Sequence, residues 1–190
     1  EQKNDLYDDN IVFQYYIKSN NKPLPGKGIG EKIPVDMIPS FSSLSKIPEW
    51  RRKLDNEYIA PFELDGHKWN TVEHYYQAGK FKNTNKEFYL LFSLDSNSKM
   101  SLDVDMAKAA ASKNGKYKKE QLRPKDIKID DEFYKGIDEK LLEDSLYAKF
   151  SQNKDMKEVL VNTKQAKLML YKQGTEPELS NILMIVRNRM

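Results

Sequence analysis

An Asp65-Gly66 pair constrains the local fold more tightly than any other feature of the chain. The pair lies between the apolar residues Phe62 and Leu64 on one side and Trp69 on the other. This pattern is typical of two short strands joined by a two-residue turn. The segment PFELDGHKWNTVEHYYQAGKF therefore predicts a β-hairpin directly in front of a helix that carries an acid, an imidazole, two phenols, an amide and a lysine.

The helix after the hairpin supplies the first candidate site residues. Asn70 or Thr71 can accept hydrogen bonds from its free first amides. At about 100° per residue, Glu73, Gln77 and Lys80 share one face. With about 1.5 Å of rise per residue, Glu73 and Lys80 lie roughly 10 Å apart along the axis, a span that suits a small ligand better than a salt bridge. The alternative is a solvated polar face.

Length and composition favour one polar, soluble domain. The chain has 190 residues, of which 38% are hydrophobic and 32% charged, and its mean hydropathy is -0.80. This length suits a single domain with its own core. No segment approaches the roughly 20 apolar residues that a membrane span requires, and the acidic start EQKNDLYDDN lacks the pattern of a secretion signal. We therefore expect a cytoplasmic protein without a membrane partner.

Residue types also restrict the chemistry. With no cysteine, the chain offers only His67 and His74 as strong zinc ligands, so we predict neither a metal site nor a cofactor. The composition leaves open a magnesium site formed by carboxylates. The net charge of +3 permits a polyanion or nucleotide partner. Because the basic residues look scattered along the sequence, they disfavour a nucleic-acid architecture protein.

A glycine-rich loop follows a predicted strand over residues 11–18. In this loop, Gly26, Gly28 and Gly30 allow tight turns and a close approach to a ligand. Lys27 and Glu31 place one charge of each sign beside them. The spacing is not that of a P-loop, and a flexible surface loop is the alternative.

A short predicted helix over residues 49–54 carries Trp50 beside Arg51. Together these side chains can stack a base and pair a phosphate or carboxylate. The alternative is a core tryptophan next to a solvated arginine.

The rest of the chain predicts mostly helices. We expect a flexible N-terminus over residues 1–10 and one domain over 11–190. Helical periodicity predicts core-facing or capped helices over 85–94, 102–113, 131–150 and 154–161, a strand over 166–171, and a last helix with Pro177 in its first turn. The basic segment KYKKEQLRP at 116–124 reads as a solvated loop or a phosphate site.

Lys149 is an anomaly in the long predicted helix. On a helical wheel it falls on the side of Leu142 and Leu146, where an apolar residue is expected. Either its stem reaches out to solvent at the helix end, or its ammonium lies in a polar cleft. In the second case, a desolvated amine loses its proton more readily and becomes a candidate nucleophile or general acid/base.

Five segments occur in an informative order: TVEHYYQAGKF at 71–81, AAASKNGK at 109–116, LYAKFSQN at 146–153, a leucine-rich stretch ending at 162–163, and LMIVR at 183–187. In this order they resemble the NADAR family, also called YbiA-like. PGKGIGE at 25–31 and WRRKLDN at 50–56 resemble a subgroup of eukaryotic and large-virus proteins. The resemblance covers most of residues 11–190.

The resemblance implies a single YbiA-like domain, mainly α with small β elements, that hydrolyses N-glycosidic bonds to ribose. YbiA-like relatives act on phosphorylated intermediates of riboflavin synthesis, and others are similar to enzymes that remove ADP-ribose from guanine. The bacterial WGxG pattern is missing, and LYKQGTEPELSN at 170–181 stands in its place. This difference favours the ADP-ribosyl branch over the riboflavin intermediates. For a monomer, the expected partner is an ADP-ribosyl or ribosyl-phosphate small molecule, or ADP-ribosylated DNA or RNA. A non-catalytic reader of ADP-ribose or nucleotides is the alternative.

Family motifs also imply roles for individual residues. Glu73 matches the acid of the (S/T)xEHY motif, and Lys149 matches the lysine of KFxQN. Asp130 or Asp131 stands where the family commonly has an aspartate. We therefore predict Glu73, Lys149 and Asp131 as catalytic residues. The predicted substrate-binding residues are Lys27, Gly28, Gly30, Glu31, Trp50, Arg51, Trp69, His74, Tyr75, Lys80, Asn114, Gln152 and Asn153.

Overall fold

A computed structural model describes residues 5–20 and 23–190. The strands are β1 Asp8–Tyr15, β2 Phe62–Leu64, β3 His67–Trp69, β4 Lys116–Tyr117, β5 Glu120–Gln121, β6 Ala166–Leu170 and β7 Glu178–Leu179. The α-helices are α1 Ser42–Ser45, α2 Trp50–Lys53, α3 Val72–Ala78, α4 Lys86–Leu91, α5 Val104–Ala110, α6 Asp138–Gln152, α7 Lys154–Asn162 and α8 Asn181–Asn188. The predicted fold class, mainly α with small β elements, is confirmed.

The chain divides into two compact units. The first unit combines Glu1–Tyr58 with Asn153–Met190, and the second unit is the continuous segment Ile59–Gln152. Among the described residues, no helix combines the length and the apolar character that crossing a membrane requires.

A three-stranded sheet organises the first unit, in the order β1-β6-β7. β1 and β6 are parallel, and β7 runs antiparallel to β6. β1 begins at Asp8 rather than at the predicted residue 11, because the Asp8 amide already donates to the Gln165 carbonyl. Phe13 of β1 is buried and meets Phe41 and Trp50 edge-on. Residues 1–4 of the predicted flexible terminus lie outside the described residues.

The last helix begins later than the sequence predicts. Pro177 does not lie in its first turn, because the next two residues, Glu178 and Leu179, pair with β6 instead. α8 then starts after Ser180, whose hydroxyl is 2.5 Å from the Tyr15 hydroxyl. Strand pairing therefore overrides the preference of proline for a helix start.

The predicted hairpin opens the second unit. β2 and β3 pair antiparallel, and Asp65 and Gly66 between them have φ values of 56° and 77°, as a two-residue turn of this type requires. The Thr71 side chain accepts from the His74 amide and caps α3, which places Glu73 in the first turn as predicted. The hairpin thereby fixes the position at which α3 begins.

The long helix of the second unit is shorter than predicted. A π-helical turn, Phe133–Ile137, contains Gly136 at φ 110°, so α6 begins only at Asp138. Asp130 does not cap α6, because this helix begins eight residues later, and the Asp130 Oδ1 accepts from the nearby Glu132 amide instead. α6 packs against α3 at Gly79, the residue that ends α3. The contact is close, because a side chain at this glycine would collide with Leu141 of α6.

Gly79→Ala is expected to lower the free energy of unfolding by about 1–3 kcal/mol. A Cβ at this position would lie 2.2 Å from Leu141 Cδ1 and 3.3 Å from Phe133 Cε2, so α3 and α6 would have to move apart. Urea unfolding measures the loss. In the double variant Gly79→Ala/Leu141→Ala the new methyl group has room, so the combined loss should be smaller than the sum. Additive losses would contradict the steric explanation.

Candidate functional site

Glu73 is held by a neighbour one helical turn away. Gln77 Nε2 donates to Glu73 Oε1 over 2.7 Å, which orients the half-buried carboxylate. Gln77 and Lys80 are each only 8% exposed. The face that these residues share is therefore buried, and the alternative of a solvated polar face is wrong.

Two buried oxygen atoms of α3 and α6 lack hydrogen-bond donors within the described structure. They are Gln77 Oε1 and Asp138 Oδ1. Tyr76 lies within electrostatic range of both Asp138 and Glu73: burial raises the pKa of its hydroxyl, and the charge of Asp138 raises it further. Tyr76 thus stays a hydrogen-bond donor at neutral pH. Because buried acceptors are nearly always satisfied, this arrangement suits a ligand with hydroxyl or amine donors.

Lys149 lies in the core of the second unit. It is 0% exposed, so the prediction that it faces inward is confirmed, and the alternative in which its ammonium reaches solvent is excluded. Its Nζ lies 4.8 Å from the ring centroid of Phe150. Lys149 belongs to α6 and Glu73 to α3, the two helices that pack at Gly79.

A large open cavity of about 1170 Å³ collects three other predicted residues of the second unit. Lys80, Asn114 and Asp131 all line it, and the lining residues described for it include neither Glu73 nor Lys149. Lys80 Nζ donates to the Ala111 carbonyl and lies 5.9 Å from the ring centroid of Tyr134. Asp131 is exposed in the cavity wall, whereas Glu73 is half-buried, so the two carboxylates lie in different environments. The catalytic role of Asp131 stays a prediction.

Three of the predicted substrate-binding residues are core side chains of the second unit. Trp69 Nε1 donates to the Leu64 carbonyl, and the Tyr75 hydroxyl donates to Asp65 over 2.6 Å. Burial lowers the pKa of His74, although the Met100 carbonyl opposes this, so the ring is neutral. Its Nε2 pairs with that carbonyl.

The neutral His74 ring also uses its second nitrogen. Its Nδ1 lies 2.8 Å from the Thr71 hydroxyl, so both ring nitrogens have partners within the unit. Gln152 is likewise occupied, because its amide exchanges two hydrogen bonds of 2.8 Å with the Glu63 backbone. In the structure these two residues hold the start of α3 and the edge of β2.

A buried ion pair organises the glycine-rich loop of the first unit. Arg51 Nη2 lies 2.6 Å from Glu31 Oε1, and only 1% of the Glu31 side chain is exposed. Glu31 also accepts from the Gly28 and Gln14 amides, and Arg51 donates to two loop carbonyls. The loop is thus folded around this pair, which leaves the Arg51 guanidinium fully engaged inside the unit.

Other predicted residues of the first unit surround this ion pair. The Arg51 guanidinium lies 4.2 Å from the ring centroid of Trp50 and covers one face of it. Trp50 Nε1 is buried without a hydrogen-bond partner in the described structure. Lys27 is exposed, Gly30 adopts φ +82° against the Gln14 side chain, and Asn153 stands at the N-cap position of α7.

Comparison with known proteins identifies the family to which this chain belongs. A NADAR domain model matches residues 40–174, which is more than half of the chain. The chain belongs to the NADAR family. Its fold is similar to the NMR structure of the E. coli protein YbiA, with a TM-score of 0.53 and 18% sequence identity over 95% of this chain and 84% of that chain. No curated protein matches the chain.

Proposed function

We propose that this NADAR protein is an N-glycosidase that hydrolyses the bond between ribose C1′ and a base nitrogen, and that it releases ADP-ribose from ADP-ribosylated guanine. One observation carries the proposal: Gln77 fixes the Glu73 carboxylate on α3, and two buried acceptors of α3 and α6, Gln77 Oε1 and Asp138 Oδ1, have no donor in the described structure. Ribose hydroxyls are donors of the kind that those acceptors lack. NADAR proteins are generally N-glycosidases, which agrees with this chemistry.

Cleavage of the C1′–N bond requires stabilisation of positive charge at C1′ and a proton for the departing nitrogen. In our proposal Glu73 orients the ribose hydroxyls and transfers the proton, as a carboxylate does in sugar hydrolysis. Gln77 keeps the carboxylate in one orientation, and Tyr76 remains protonated as a donor.

Lys149 is proposed as the nucleophile. Nucleophilic attack requires the unprotonated amine: its lone pair forms a bond to C1′ while the C1′–N bond breaks, and the electron pair of that bond leaves with guanine. The proton lost by the amine reaches the guanine nitrogen through Glu73. Opening of the ribose ring gives an imine, and addition of water then releases ADP-ribose and regenerates the amine.

Sequence differences support the ADP-ribosyl substrate. The chain lacks the bacterial WGxG pattern, and its 25–31 and 50–56 segments resemble the eukaryotic and large-virus subgroup. The second candidate substrate, a phosphorylated intermediate of riboflavin synthesis, is favoured only by the fold similarity to YbiA.

Product analysis tests the proposal directly. The protein is incubated separately with ADP-ribosylated guanosine, NAD, ADP-ribose and a phosphorylated riboflavin intermediate, and chromatography with mass spectrometry follows free guanosine or base. We expect release from the ADP-ribosylated guanosine alone. Saturable binding of ADP-ribose without any product would instead establish a non-catalytic reader and overturn the proposal.

Glu73→Gln is expected to lower kcat for this hydrolysis by about 100- to 10,000-fold, because the amide cannot transfer the proton. Steady-state kinetics measures the loss. Glu87→Gln is a matched control, since Glu87 is an exposed acid in the first turn of another helix of the same unit. Full activity of the Glu73 variant would remove this residue from the mechanism.

A further inference from the structure

Positive charge is concentrated in one short segment of the second unit. Seven basic residues and two acidic ones lie between residues 113 and 128, whereas the whole chain has a net charge of only +3. The rest of the chain is therefore slightly acidic, and the expectation that basic residues are scattered is wrong. Six of the seven are exposed lysines, which we call the basic rim: Lys113, Lys116, Lys118, Lys119, Lys125 and Lys128.

The tip of the basic rim is a hairpin with an unusual turn. β4 and β5 are joined by Lys118 and Lys119, whose φ values are 48° and 70°. Asn-Gly is the usual sequence for such a turn, because lysine in this conformation costs about 1 kcal/mol or more. The sequence thus places two exposed ammonium groups at the tip at the expense of stability.

Arg123 holds the basic rim in a fixed geometry. Its buried guanidinium donates to the carbonyls of Ala110, Ser112, Lys113 and Ile127. This ties the segment after β5 to the end of α5. Arg123 is therefore a structural residue, and the six lysines are the groups available to a partner.

The cavity beside the basic rim adds an aromatic platform. Four of the six lysines line it, together with Tyr134, which is 63% exposed. A positively charged groove with an exposed aromatic ring is the usual combination in proteins that bind single-stranded nucleic acid. A flat anionic membrane fits less well, because the wall is concave.

We propose that the basic rim binds the phosphate backbone of a single-stranded nucleic acid and that an unpaired base stacks on Tyr134. The inference rests on the proposed function in one respect: the strand is expected to carry the ADP-ribosylated guanine that the protein hydrolyses. Binding of an unmodified strand needs no hydrolysis, so the two proposals can fail separately.

Fluorescence anisotropy with a labelled, unmodified single-stranded oligonucleotide tests this proposal. The double variant Lys118→Asn/Lys119→Gly installs the preferred turn, so we expect a higher melting temperature together with about tenfold weaker binding at roughly 0.1 M salt. Because about 0.7 counterions are released per phosphate contact on a single strand, the log-log salt slope should fall by about 1.4. Since the variant is more stable, unfolding cannot explain the loss.

Two further variants define the partner. Lys86→Gln/Lys99→Gln removes the same charge from exposed positions outside the basic rim and should change affinity less than about twofold. Tyr134→Ala should weaken binding about tenfold without changing the salt slope, since stacking involves no ion release.

Three results would overturn the proposal: unchanged strand binding by the turn variant, equal affinity for a duplex of the same sequence, or tighter binding to phosphatidylserine vesicles than to the strand. Hydrolysis of free ADP-ribosylated guanosine should be unaffected by the turn variant. If this hydrolysis is absent from the wild-type protein while strand binding follows the predictions, only the proposed function fails.

Discussion

Lys149→Met is expected to lower the rate of ADP-ribosylated guanosine hydrolysis by about 1000-fold or more. Loss of a nucleophile is among the most damaging single changes an enzyme can undergo. Methionine keeps most of the length and volume of the side chain, so the packing around this buried position is largely preserved. Circular dichroism and the melting temperature show whether the variant remains folded.

Chemical trapping separates a nucleophile from a merely structural lysine. Reduction of the wild-type reaction with cyanoborohydride should convert the imine to a stable amine, and mass spectrometry should place the ADP-ribosyl adduct on Lys149. Lys149→Arg supplies a guanidinium that stays protonated and cannot attack C1′, so this variant should be inactive and give no adduct. If the arginine variant hydrolyses the substrate at the wild-type rate, charge alone is sufficient and the covalent step is wrong.

Glu31→Gln is expected to lower the free energy of unfolding by about 3–5 kcal/mol, because it leaves Arg51 charged and buried without its partner. Denaturant unfolding measures this change. Lys140→Gln is the matched control: it breaks the exposed ion pair with Asp144 and should cost no more than about 0.5 kcal/mol.

A double-variant cycle tests the explanation for the buried pair. Arg51→Met alone should also destabilise strongly, since it leaves the Glu31 carboxylate without its cation. The double variant Glu31→Gln/Arg51→Met should be more stable than the sum of the two losses predicts. A loss for Glu31→Gln as small as that of the Lys140 control would show that the ion pair does not hold the loop.

Local chemistry explains which parts of the fold were predictable. The hairpin follows from Asp65-Gly66, and the start of α3 follows from a hydroxyl at its N-cap, since both depend on residues a few positions apart. The inward direction of Lys149 follows from helical periodicity in the same way. Each of these signals is contained within one element.

Contacts between distant segments were not predictable. The sequence predicts both Glu31 and Arg51 as substrate-binding residues, yet no pattern in it indicates that they pair with each other rather than with a ligand. Asp138 was missed because Gly136 interrupts the predicted helix and resets its phase. Tyr76 carried a usable signal, since it lies three residues after Glu73 and such pairs are neighbours on a helix surface.

The first unit is assembled from both ends of the chain, whereas the second unit is one continuous stretch. Because a ribosome releases the N-terminal end first, β1 is made long before its parallel partner β6. Phe13 of β1 therefore lacks its strand partner, Leu168, during this interval. Pairing across such a sequence distance is slow and exposes unpaired strand edges. We therefore expect the second unit to fold during synthesis, whereas the edge of β1 stays unpaired until β6 has been synthesised.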